Sequence, residues 1–128
     1  MKRQFMALMF CLVSAAVLTA TAGGDWLAEV PTRDREKTNP FRDQPQAIEV
    51  GRLLFAGHCS QCHGENAQGT KKRPSLRTAR IQSEASEGAL HWLLVKGNVR
   101  HGMPSWSKLP DQQLWQLVSY VKSLKAAE

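Results

Sequence analysis

The apolar positions of this chain fall into three helical stripes separated by long polar connections. Ala47, Val50, Gly51, Leu54 and Phe55 recur at the spacing that lines one face of a 3.6-residue helix. Pro45 ahead of them is a favoured first helical residue, and Gly57 is expected to close the helix. Ser86 as N-cap, with Glu87 in the first turn, predicts a second helix carrying Ala89-Leu90-His91-Trp92-Leu93-Leu94-Val95-Lys96 and stopping at Gly97. A third begins with Pro110 and Asp111 and buries Leu114, Leu117, Val118, Val121 and Leu124. Lys122 and Lys125 suit the negative end of its dipole. No segment alternates with a period of two and no repeat is visible, so the chain reads all-α. Gly51 is costly inside a helix. Its place on the apolar face predicts that another helix crosses closely there.

The polar stretches divide the chain further. Lys2 and Arg3, the apolar run Phe5 to Leu18 and the small residues Ala20-Thr21-Ala22 read as a secretory signal over residues 1–22, cleaved before Gly23. The alternative is a retained membrane anchor, although the run is shorter than the ~20 residues a span needs. Residues 23–44 contain Pro31, Pro40 and the mixed run Arg33-Asp34-Arg35-Glu36-Lys37 without a sustained apolar period. They are either a disordered leader or an extended strap that packs Trp26, Leu27 and Val30, or Phe41, against the domain. Residues 45–128 form that domain.

Of the three cysteines, Cys11 lies in the signal, which leaves Cys59 and Cys62 in Cys59-Ser60-Gln61-Cys62-His63. Two thiols two residues apart, with a histidine directly after the second, are the signature of covalent c-type haem attachment. Each thiol can add across one vinyl group, and the turn between them sets the His63 imidazole beneath the iron. A zinc half-site would need a second ligand pair, and no cysteine follows Cys62. A thioredoxin-like pair would need a βαβ pattern, which is missing. A buried porphyrin also supplies apolar surface that so small a domain lacks.

The iron's sixth position in an electron carrier suits a soft, neutral thioether. Met1, Met6 and Met9 belong to the signal, which leaves Met103, in a loop between Gly102 and Pro104. Met103 could instead fill a core gap. His101, two residues away, is the rival ligand. His58 adjoins Cys59 on the proximal side, and His91 falls within a helix, where a surface histidine is expected. The carbonyl of Pro74 could accept the His63 ring N–H, or Pro74 could be an ordinary loop proline. Trp92, Trp106, Trp115 and Tyr120 can wall a porphyrin or simply pack the core.

With those residues placed, the chain resembles the class I monohaem cytochromes c over roughly Ala47 to Leu124. The resemblance rests on Cys59-Ser60-Gln61-Cys62-His63, Gly102-Met103-Pro104 and the helix pair carrying Gly51/Phe55 and Leu117/Tyr120. It implies three to four helices around one haem c, with the first and last crossed, thioethers at Cys59 and Cys62, and axial His63 and Met103. It also implies that Pro74 orients His63, and a role in electron transfer rather than catalysis. Asn39-Pro40-Phe41 before Pro45-Gln46-Ala47-Ile48 is similar to small cytochromes c that accept electrons from periplasmic quinoprotein alcohol dehydrogenases. Expected partners are therefore such a dehydrogenase as donor and a terminal oxidase or another cytochrome as acceptor, in the periplasm. The leader up to Lys37 departs from the minimal family domain.

Charge adds one further expectation. Seventeen basic against eleven acidic residues give a net +6, and export makes nucleic acid a poor partner. Lys71, Lys72, Arg73, Arg77 and Arg80 either form a rim that steers an acidic redox partner or are a solvated loop. The competing function class is a haem enzyme or gas sensor whose sixth ligand is displaceable, with His101 as its acid/base. Because the haem completes the core, the double variant Cys59→Ala, Cys62→Ala is expected to lose its near-ultraviolet dichroism. A native-like spectrum would show that the chain folds without haem.

Overall fold

The computed structural model describes residues 24–125, and the signal segment expected over 1–22 lies outside the described residues. The described chain is helical, without a strand: α1 (Trp26–Glu29), α2 (Thr32–Arg35), α3 (Pro45–His58), α4 (Ser60–His63), α5 (Glu87–Lys96) and α6 (Asp111–Ser123). A π-helical turn (Arg80–Glu84) precedes α5 and a 3₁₀ turn (Val99–His101) follows it. This is more than the three to four helices expected. The additions are one or two turns long, too short for an apolar period to repeat.

The crossing of α3 over α6 organises the rest. Gly51 is buried, and a Cβ placed on it would lie 2.0 Å from the carbonyl oxygen of Gln116. Without a side chain at that point the two backbones touch, which no other residue allows. One turn on, Phe55 (1% exposed) packs with Leu117 (1%), its ring centroid 5.2 Å from that of Tyr120. Burying those side chains contributes roughly 2 kcal/mol each.

Gly57 does not end α3. The Cys59 amide donates to Phe55 O at 2.8 Å, so the helix continues to His58 and passes directly into the turn of α4. The other caps follow the sequence pattern. Ser86 Oγ accepts from Ala89 N at 3.1 Å, and α5 stops before Gly97 at φ +72°.

The leader is a packed strap over its described residues. Trp26 and Val30 are buried in one core cluster with Ile81, Ala89, Leu90, Trp115 and Val118, and Phe41 packs against the same cluster. Asn39, 3% exposed, donates from Nδ2 to Ser119 Oγ at 2.8 Å and so fixes the strap to α6. A Cβ on Gly88 would lie 2.0 Å from Asp34 O, so α2 presses directly on the start of α5. The Lys37 ammonium, 2.6 Å from Asp34 Oδ1, together with Arg33 holds the Asp34 carboxyl below the usual carboxylate range. Asp25 pairs with Arg80, and Arg42 with Glu87.

His91 is buried as well, contrary to the surface position expected of it. Its ring stacks on Trp115 at 4.0 Å and 18°, and Nε2–H donates to Asp111 Oδ1 at 2.7 Å. A carboxylate at the start of α6 thus satisfies Nε2 of the buried ring. On the crossing, Gly51→Ala is expected to destabilise the holoprotein by about 1–3 kcal/mol through overpacking. Guanidinium unfolding measures this, and a midpoint equal to the parent's would mean the crossing has room for a methyl group.

Candidate haem site

The attachment motif is one tight turn. Cys62 N and His63 N both donate to Cys59 O, at 3.2 and 2.9 Å, which folds Cys59, Cys62 and His63 around a single carbonyl at the end of α3. All three face a cavity of about 330 Å³, within the ~300–1,000 Å³ of cofactor pockets. Its walls are mainly apolar, with Phe55, Leu76, Leu94, Leu117 and Val121 among them. Met103 lines the same cavity, although it lies forty residues after His63 in the chain.

His63 is oriented from behind. Its Nδ1 lies 2.9 Å from Pro74 O. A carbonyl only accepts, so Nδ1 carries the proton and Nε2 keeps its lone pair. Pro74 is held in place by its neighbours: Thr70 N donates to Arg73 O at 3.0 Å, and Leu76 N to Ala67 O at 2.9 Å.

The Met103 loop hangs from α5. Asn98 and Met103 exchange both backbone hydrogen bonds, at 2.9 and 3.0 Å, and Trp106 N donates to Leu94 O at 2.8 Å. His101 also borders the cavity, but its Nδ1 lies 2.9 Å from Asn98 Oδ1, and Gly24 of the strap packs against the ring. His58 borders the cavity on the Cys59 side, with its ring 5.2 Å from that of Trp106. His91 does not line the cavity.

Of the aromatic residues singled out in the sequence, Trp106 lines the cavity, while Trp92 sits beneath the Lys96 ammonium at 5.1 Å. Trp115 packs in the core. Trp26 was missed as a wall residue and reaches the cavity from the strap. The sequence singled it out only as a residue that the strap would pack against the domain, not as a wall of the site.

Burial and the neighbouring Cys62 push the Cys59 thiol up to about 11, so it is neutral at ordinary pH and packs as an apolar wall. The donor set is thus two thiols, one imidazole nitrogen and one thioether around an apolar slot. That set fits a porphyrin, with apolar faces to bury and an iron that takes nitrogen and sulfur. Among the described residues no group of three or more His, Cys, Asp or Glu gathers as a metal site.

Comparison with known proteins agrees. The family model described as cytochrome C oxidase, cbb3-type, subunit III matches residues 46–121. The chain belongs to this family of class I c-type cytochromes. Membership brings one covalently bound haem c per chain. Cytochrome c550 of Pseudomonas aeruginosa is 27% identical over 113 residues, covering 83% of this chain and 72% of that protein. The quinohemoprotein alcohol dehydrogenase ADH-IIG of Pseudomonas putida is 33% identical over 110 residues, or 84% of this chain and 15% of the dehydrogenase. The solved cytochrome cL of Methylophaga aminisulfidivorans superposes with a TM-score of 0.57 at 27% identity, over 67% of this chain and 58% of that one. The oxidase-subunit relatives are longer too, this chain spanning 30% of FixP from Rhizobium meliloti.

Proposed function

We propose that this c-type cytochrome is an exported one-electron carrier between redox proteins. Cys59 and Cys62 hold the haem through thioethers, and His63 and Met103 are its axial ligands. The observation that carries the reading is the meeting of those four side chains on one apolar cavity, drawn from two segments forty residues apart. Bound haem supplies a one-electron Fe(II)/Fe(III) couple.

The protein's part is to keep the site fixed while the charge changes. Pro74 O holds the His63 ring and raises the basicity of Nε2. The paired backbone of Asn98 and Met103 holds the thioether in a closed loop. Apolar walls exclude water, and with a neutral sulfur ligand they favour the reduced state. Of the histidines at the cavity besides His63, His101 is engaged by Asn98 and packed against the strap, which supports a carrier over an enzyme.

Partners follow from charge and kinship. ADH-IIG joins a similar domain to an alcohol dehydrogenase, which supports a quinoprotein dehydrogenase as donor. The family's oxidase-subunit description supports a terminal oxidase or another cytochrome as acceptor. The signal pattern read over residues 1–22 supports an exchange in the periplasm, and no helix among the described residues is long and apolar enough to cross a membrane.

Three of the five rim cations also make contacts within the fold. Arg77 donates to Asn66 O at 2.7 Å, Arg80 pairs with Asp25, and Arg73 donates to His101 O at 3.0 Å. Lys71 and Lys72 are exposed, and with Arg73 and Arg77, whose charge a neutral carbonyl leaves in place, they steer an acidic partner.

The optical spectrum tests the ligand assignment. The ferric holoprotein is expected to show a sulfur-to-iron charge-transfer band, and the ferrous form no change under carbon monoxide. Ready gas binding, or no sulfur band, would sink Met103 ligation and bring forward an enzyme or sensor with His101 at its distal side. Steering is tested by oxidation with ferricyanide, an anionic probe, from about 0.01 to 1 M ionic strength. The rate is expected to fall with salt, and to fall less in Lys71→Gln, Lys72→Gln. Equal slopes for parent and variant would remove the steering role.

A further inference from the structure

One side chain joins the two segments that supply His63 and Met103. Arg73 immediately precedes Pro74, whose carbonyl orients His63. Its backbone is pinned on both sides, N–H donating to Thr70 O at 3.3 Å and carbonyl accepting from Thr70 N at 3.0 Å. From that base the guanidinium reaches the opposite loop, where Nη1 donates to His101 O at 3.0 Å.

The same group lies against Gly102. At φ +84° this residue adopts the left-handed backbone that glycine tolerates, and a Cβ there would lie 2.7 Å from Nη1 and 2.9 Å from Nη2. Met103 is the next residue. The short loop between is tied within itself, His101 N to Asn98 O at 2.9 Å and Gly102 N to Val99 O at 3.0 Å. A restraint on His101 O is therefore passed to Met103 rather than absorbed by slack.

The restraint matters because the loop is held by hydrogen bonds rather than by burial. Val99, Arg100, His101, Gly102, Pro104 and Ser105 are all exposed, and Met103 is half-buried. Segments with few buried apolar contacts open at low free energy. A hydrogen bond from a charged donor is about twice as strong as a neutral one.

We propose that Arg73 is a positioning residue that latches the Met103 loop to the His63 loop and so keeps the thioether on the iron. The latch rests on the reading of Met103 as axial ligand. One three-residue stretch, Arg73 to Ser75, then secures both faces of the haem: Pro74 through its carbonyl, and Arg73 through its side chain. The role is distinct from partner steering, because it depends on one hydrogen bond and not on net charge.

Imidazole binding to the ferric holoprotein at pH 8 tests it, since this neutral probe enters only when the thioether leaves. Arg73→Gln is expected to bind imidazole about ten-fold more tightly than the parent, the loss of one charge-assisted hydrogen bond. Lys72→Gln, which removes the same charge one residue away, is expected to match the parent. Should Arg73→Gln yield no holoprotein, Arg73→Met, which keeps the aliphatic stem, carries the same expectation. Parent-like affinity in the Arg73 variant, or an equal rise in Lys72→Gln, would overturn the latch. A parent without the sulfur-to-iron band would overturn Met103 ligation and the latch together. With the band present, a silent Arg73 variant overturns the latch alone.

Discussion

Everything in this protein hangs from the contact of two helix backbones at Gly51 and Gln116. The approach is close enough that one methyl group would lie 2.0 Å from a carbonyl oxygen. That contact sets the height of α3 on α6, and so where the last turn of α3 delivers Cys59. Phe55 and Leu117 fill the space beside it, and the C-x-x-C-H turn follows without a break because the helical ladder runs on into it. A looser crossing would carry the thiols away from the slot between Leu117 and Leu94 that they line.

The cavity lies where the two apolar clusters of the core come together. Leu76 and Leu94 pack against both apolar clusters, so the two halves of the core meet around it. A domain this small buries little apolar surface by itself, and a covalently held porphyrin supplies the remainder. The strap works in the same direction. It adds Trp26 and Val30 to the core and brings Gly24 against His101. The leader thereby belongs to the wall of the site, which the minimal family pattern would not suggest.

Much of the basic excess acts inside the fold. Arg35 donates to Leu27 O at 2.8 Å, closing the strap on itself. Lys122 Nζ donates to the carbonyls of Ile81, Gln82 and Ala85, at 3.2, 2.8 and 2.9 Å. Burial lowers the pKa of that ammonium, and three oxygens at the π-helical turn compensate it. These cations cap backbone carbonyls that the helices leave open.

What could be read from the chain alone was whatever is encoded within a few residues. The C-x-x-C-H spacing is one turn of backbone, the stripes of α3 and α6 repeat with the helix, Ser86 caps over three residues, and Gly51 announces a close neighbour by its cost. The loop that brings Met103 to the cavity was legible because Gly102 and Pro104 frame that residue. Tertiary structure alone decided the rest. The strap's two single-turn helices are too short to carry a period, and they hold because Asn39 and Trp26 find partners far along the chain. His91 sits on an ordinary helical position and is buried only because Trp115 and Asp111 arrive from α6. Arg73 read as one more charge in a basic run. Its reach to a carbonyl twenty-eight residues on has no local pattern, because a long side chain's partner is chosen by packing and not by spacing.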